Sequence, residues 1–376
     1  MSVTIIPLKP TRSELLQYVK FGINLYCDNP CHVPPLVLDE IETLSPKKNP
    51  AFEVCRAQSF IAKRDGKIVG RITAIINDLV NKKYNQSVMR FGFMDFIDDA
   101  EVVDALFEAA ANWGKERGMA TMVGPMGFSD MDHEGMLIDG FDQMGTMATI
   151  YNYPYYVDHM ERMGFSKDAD WVEYRINIPE TIPDKYARIA QIVKTKYNLK
   201  SVPLTSRKIV KEKYGKPLFK LINEAYADLY GFSPLTDRQI DYYIDQYLGI
   251  LRLDCVSAIV DENDDIVAVG ISMPSLSEGL RKSRGKLFPT GWYYLLRALK
   301  GHTDTVDLLL VAVKPEYQSK GVNALIFNDL IPAFNKAGYK FAESNIELEN
   351  NENVQKQWEY FEHRLHRRRR AWKKEI

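Results

Sequence analysis

Along the 376-residue chain, apolar positions switch between a period of two and a period near 3.6, and these switches mark out its elements. Residues 3–8 read as a strand. A helix follows from a Thr11 or Ser13 cap to about Tyr26, with Leu15, Leu16, Val19 and Ile23 on one face. The proline-rich stretch 29–50 holds a short helix around 36–44, and 58–77 read as a hairpin about Arg64-Asp65-Gly66-Lys67. Residues 88–97 form the next strand. In 98–117 an amphipathic helix turns Val102, Val103, Leu106, Phe107, Ala110 and Trp113 inward and ends at Gly118, before a strand at 121–126. Residues 177–183 look like a linker.

Beyond the linker the pattern repeats. Helices are expected over 184–197, 206–229 and 236–248, then a second hairpin over 254–272. A basic loop at 281–286 leads to a short aromatic-rich helix at 289–300 and a β-branched strand at 306–313. Val322, Leu325, Ile326, Leu330, Ala333, Phe334 and Ala337 recur at helical spacing. Pro332 lies within that helix and is expected to kink it, because it removes the bond to the Asn328 carbonyl. A strand at 340–346 and a helix from about 351 onward complete the chain. The fold class expected is α/β with mixed (α+β) sheets, in two domains, 1–178 and 179–376.

At 45% hydrophobic and 26% charged, the chain has the composition of a globular protein that buries its own core. A net charge of −1 gives no global case for nucleic acid. The start, Met-Ser-Val-Thr-Ile-Ile-Pro, has no basic n-region, and no run approaches a membrane span, so the cytoplasm is the expected compartment. Four cysteines are too few for a disulfide framework, and Cys27-x-x-x-Cys31-His32 has no second ligand pair, so no metal is expected. Residues 363–374 are locally very basic. They read as a solvated tail, with an anion-binding patch and a weak contact with anionic membrane as the other uses; Trp372 suits the last.

The joint after the 306–313 strand, Gln318-Ser319-Lys320-Gly321-Val322-Asn323, puts a tight glycine loop between a strand and a helix N-terminus. That arrangement offers unpaired N–H groups to an anion. The stretch resembles the Gln/Arg-x-x-Gly-x-Gly/Ala loop of the GNAT acyltransferases, which cradles the pyrophosphate of acetyl-CoA or a longer acyl-CoA. Gln318, Lys320 and Gly321 fall on the pattern; Asn323 replaces the last Gly/Ala, with Ala324 next. Residues 1–178 show the same element order. Tyr151-Asn152-Tyr153-Pro154-Tyr155-Tyr156 and then Met160-Glu161-Arg162-Met163-Gly164-Phe165 resemble the family's N-x-x-A-x-x-x-Y-E-K-x-G-F ending, with Met160 at its tyrosine. Only Asp98-Asp99-Ala100-Glu101 stands between Ile97 and the helix that follows it in that half, and those acids repel a pyrophosphate. Tandem GNAT-like domains are therefore expected, the second binding acyl-CoA and the first without the loop.

The resemblance implies that Val311, Ala312 and Val313 pair with the pantetheine arm and that residues 318–324 (Gln318, Ser319, Lys320, Gly321, Val322, Asn323, Ala324) hold the pyrophosphate. It also implies transfer of an acetyl or longer acyl group to an amine, small or lipid. The family's acid is a tyrosine seven residues after an asparagine. Asn351 to Trp358 has this spacing but supplies an indole, whereas Asn353 to Tyr360 supplies a phenol, so Tyr360 is the candidate acid. Glu343 and Asn345 share a strand face and are candidates to touch substrate, with Asp307 a weaker base. Asp130, Asp132 and Glu134, in a loop after a strand end, are candidates to receive the amine, with Tyr155 lining the pocket; a solvated acidic loop is the other reading. A non-catalytic acyl-CoA or metabolite sensor and a tandem-GNAT aminoacyl transferase stay open beside the acyltransferase.

Overall fold

Residues 2–376 are described by a computed structural model, a mixed α/β structure in two units. The first unit takes the chain up to Val172 and adds Ser277–Tyr294 and Arg367–Ile376; the second takes Glu173–Leu276 and Leu295–His366. The contiguous halves 1–178 and 179–376 are thus not the physical units. Among the described residues no helix is long and apolar enough to cross a membrane.

In the first unit β1 (Thr4–Pro7), β2 (Cys55–Arg64), β3 (Lys67–Asn77) and β4 (Val88–Phe96) pair antiparallel, and β4 then runs parallel to β5 (Thr121–Gly124). Helices cover both faces. Val102, Val103, Leu106 and Phe107 of the Ala100–Lys115 helix pack with Phe91 and Phe96, while Leu15, Val19 and Ile23 of the Arg12–Leu25 helix pack with Ile61 and Ile75. Central strand β3 is therefore buried almost throughout, as a strand with both faces covered must be. A short strand, β6 (Met136–Asp139), lies in a stretch the sequence reading left without an element.

Strand β7 (Ser166–Asn177) leads into the second unit. There β8 (Lys200–Ser201), β9 (Val256–Val260), β10 (Ile266–Pro274) and β11 (Thr305–Val313) pair antiparallel, β11 runs parallel to β12 (Phe341–Ser344), and β12 pairs with the end of β7. A two-residue strand, β13 (Glu347–Leu348), follows β12. The Asn323–Ala337 helix lies over β9 and β10 and continues through Pro332 without a break.

The C-terminal expectation needs correcting. The helix from 351 shrinks to Glu352–Gln355 and a 3₁₀ turn at Lys356–Tyr360, and the basic segment is a strand, β14 (His363–Glu375). Arg367, Arg369 and Ala371 are buried while Arg368 and Arg370 are only half-buried, a period of two hidden because arginine occupies inward positions. Burial is tolerable because the guanidinium groups find carbonyls: Arg369 donates to the Ile150 oxygen and Arg367 to that of Met144. Trp372 is 1% exposed, so it is core and not an interfacial residue.

Candidate functional site

In the second unit β11 and β12 part company. They pair from Thr305 opposite Phe341 to Leu308 opposite Ser344 and no further. On its other edge β11 stays with β10, but the register slips at Ile271/Ser272 and leaves Leu309 bulged. Asn345, a predicted site residue, sits in the fork: its N–H donates to the Leu308 oxygen (3.1 Å) and its amide to that of Leu309 (3.0 Å). Beyond it Leu309 and Leu310 are half-buried and Val311 is 40% exposed, although all three belong to an interior strand. The Val311 oxygen on this open edge accepts from the Tyr226 hydroxyl at 2.8 Å, and Ala312 is buried.

Past Val313 the chain turns through Pro315–Tyr317 into the loop. Gln318 closes it by donating to the Val313 oxygen (3.1 Å). Ser319 and Gly321 take left-handed backbone angles, φ 58° and 80°. At Gly321 a Cβ would also meet Ile189 Cγ2 at 2.9 Å, so glycine is required twice over. Among the described residues the N–H groups of Ser319, Gly321, Val322 and Asn323 donate to nothing, while those of Gln318, Lys320, Ala324 and Leu325 are used. The helix starting at Asn323 has no side-chain cap and no acid in its first turn. Open donors, a helix N-terminus and Lys320 in one turn suit a phosphate-bearing ligand.

The predicted catalytic residues fare differently. Glu343 is 6% exposed and engaged by Arg175 (2.7 Å) and His366 (3.0 Å); buried Asp307 stands opposite it in the β11/β12 register. Tyr360 is 40% exposed in the 3₁₀ turn, with the Lys185 ammonium on its hydroxyl. Trp358 is buried, and its indole N–H donates to both Glu347 oxygens at 2.9 and 3.2 Å.

Glu347 is the residue the sequence reading missed. It follows the splay by three positions, and burial pushes its carboxyl up to about 8, with the Trp358 bond pulling the other way. A carboxylate poised there accepts a proton near neutral pH, as a general base must. The available signal was the off-pattern Trp358 itself, since an indole N–H needs an acceptor and Glu347 supplies one.

In the first unit the acidic loop after β5 is tied to its own backbone. Asp132 accepts from the N–H groups of Phe128 (2.8 Å) and Ser129 (3.1 Å), and burial still lifts it to about 6 against those bonds. Burial, then Asp130, pushes Glu134 well above the carboxylate range, and His133 bonds the Met147 oxygen (2.9 Å). The loop is half-buried, with Asp132 and His133 bonded to backbone of this unit. Tyr155 donates to the Phe96 oxygen (2.7 Å). Asp99 caps its helix through Val102 N–H (3.1 Å) and is clamped by Arg64.

No family profile matches the chain. Two curated proteins resemble it over most of its length. Protein YghO of Escherichia coli (strain K12) is 31% identical over 329 residues, 86% of this chain and 82% of that protein. The bacterial ceramide synthase of Caulobacter vibrioides (strain NA1000 / CB15N) is 30% identical over 325 residues, 84% and 82%. Among solved structures, a tandem GNAT protein from the clavulanic acid biosynthesis pathway superposes with a TM-score of 0.57 at 11% identity, covering 100% of this chain and 98% of its own. A GCN5-related N-acetyltransferase from Sphaerobacter thermophilus gives 0.53 at 10% identity, covering 99% and 95%.

Proposed function

The chain belongs to the family that holds Protein YghO and the bacterial ceramide synthase and has the tandem GNAT fold, and we propose that it acylates the amine of a long-chain amino alcohol from a fatty acyl-CoA. The observation that carries the acyl-CoA part is the splayed β11 edge, apolar and open at Val311, running into a loop with four uncommitted N–H donors. The edge suits the amides of a pantetheine arm and the loop a pyrophosphate. The lipid acceptor rests on the ceramide synthase relative, ceramide being the N-acyl amide of such a base.

The chemistry is one displacement. The amine nitrogen attacks the thioester carbonyl carbon, the C–N bond forms, and the carbonyl oxygen carries the charge until the C–S bond breaks. Glu347 takes the proton the amine loses, directly or through one water. The thiolate, conjugate to a thiol of pKa near ~8.5, leaves unassisted and takes its proton from solvent. Val311 to Val313 and residues 318–324 hold the donor; Asn345 props the fork open, and Glu343 anchors β12 to β7 through Arg175.

The test is turnover of the purified full chain with palmitoyl-CoA, offered sphinganine or a short polar amine, with the amide read by mass spectrometry. Sphinganine should be preferred by at least about tenfold, since each buried methylene contributes ~0.8 kcal/mol. Equal turnover of the polar amine overturns the lipid acceptor. Tight acyl-CoA binding without transfer to any amine would make the protein a sensor instead.

A further inference from the structure

Among the described residues twelve large apolar side chains stand exposed, and four of them, Phe288, Trp292, Tyr293 and Leu296, fall within nine residues. Phe288, at 72%, is the most exposed of the twelve. The Gly291–Leu299 helix buries Gly291, Leu295 and Ala298 and turns Trp292, Tyr293 and Leu296 the other way. Trp292 meets its one polar need internally, donating Nε1–H to the Pro289 oxygen at 2.9 Å, so its outward ring carries no unsatisfied donor.

Charge singles out the same stretch. From 279 to 303 the sequence has no acid and six basic residues: Arg281, Lys282, Arg284, Lys286, Arg297 and Lys300. Arg281 and Lys282 share Glu278 just outside it, while Arg284 and Lys286 form no ion pair among the described residues. In a chain of net charge −1, this cluster is a local feature. Aromatic rings beside a run of lysine and arginine match an anionic bilayer surface: the rings enter the headgroup boundary and the cations meet lipid phosphates.

We propose that the Ser277–Tyr294 segment, with its cations Arg281, Lys282, Arg284 and Lys286 and its exposed Phe288, Trp292 and Tyr293, is a peripheral docking face for an anionic lipid bilayer. The proposal does not rest on the acyl-transfer reading. The occupant is argued from charge complementarity: a neutral apolar partner would leave the cations unused.

Co-sedimentation of the full chain with vesicles tests it. Phosphatidylcholine vesicles containing about one quarter phosphatidylglycerol should bind the protein at low salt, and pure phosphatidylcholine at least about tenfold less. Lys282→Glu with Lys286→Glu should lower binding by about tenfold or more, and so should Phe288→Ser with Trp292→Ser. Phe288→Ser by itself alters only an exposed side chain, so its partial loss remains readable if the pair disturbs folding. Equal binding to neutral vesicles, or binding that neither pair weakens, overturns the proposal. So does a lipid-independent dimer that the serine pair abolishes, which would give the face to a second copy of this chain.

Discussion

Two strand forks of the same strand order, β4 beside β5 and β11 beside β12, end differently. In the first unit β4 and β5 pair in parallel over three residues and then meet again through their own backbone: Met126 N–H bonds the Phe91 oxygen at 2.8 Å, and a Cβ on Gly92 would stand 2.3 Å from the Met126 oxygen. The helix that follows opens with Asp99 as cap and Glu101 in its first turn, so its donors are met from within. In the second unit β11 and β12 stay apart, the exposed edge is apolar, and the helix that follows has neither cap nor acid. The second fork leaves its own hydrogen bonds unmade, and this makes it the candidate site. The first fork has spent those bonds on itself.

The sharpest way to break this contrast is at Glu347. Glu347→Gln keeps an acceptor for Trp358 but removes the base, so kcat should fall ~10²–10⁴-fold. The rise of kcat with pH through about 8 should vanish with it. The same residue gives a signed stability prediction. Its folded carboxyl keeps a proton that the unfolded chain has lost, so stability should decline as pH rises from the ordinary glutamate range to about 8, and Glu347→Gln should flatten that decline. An unchanged pH–rate profile removes Glu347 from the chemistry.

Next in size is Gly321→Glu. It puts bulk against Ile189 and a negative charge among the open donors, and acyl-CoA affinity measured by calorimetry should drop at least ~10²-fold. Stoichiometric binding left in this variant would mean that the first fork holds acyl-CoA as well.

The polar core of the first unit supplies the converse test. Arg71 lies buried between Glu40 (2.5 Å) and Asp95 (2.7 Å), and Tyr26 donates to Asp95 at 2.9 Å. Arg71→Met strands two carboxylates and should cost about 3–5 kcal/mol of stability by denaturant unfolding. Acyl-CoA affinity of the molecules still folded should not move. The smallest effect is expected at Tyr360. Tyr360→Phe should change kcat less than about threefold, because a thiolate needs no acid to leave. A loss in the general-acid range would restore the phenol as proton donor.

Hydrophobic period made the two hairpins, the β11 strand and its helix legible in the sequence, and the glycine loop stood out because few residues satisfy its backbone. Two things were hidden. Arginine at inward positions masked β14, since burial there depends on carbonyls contributed from residues 144 and 150. Glu347 was hidden because its basicity comes from burial and from an indole eleven residues later, and neither follows from local pattern.

Strand β14 has a consequence in time. The first unit takes residues from the start of the chain and also residues 367–376, where Trp372 pairs with Gly124 and Glu375 with Thr121. A ribosome making this protein therefore releases most of that unit long before the strand that completes it. Until then β5 has a bare edge, the kind of surface on which nascent chains aggregate. A premature stop codon just before Arg367 would strike hardest at the part of the protein translated first.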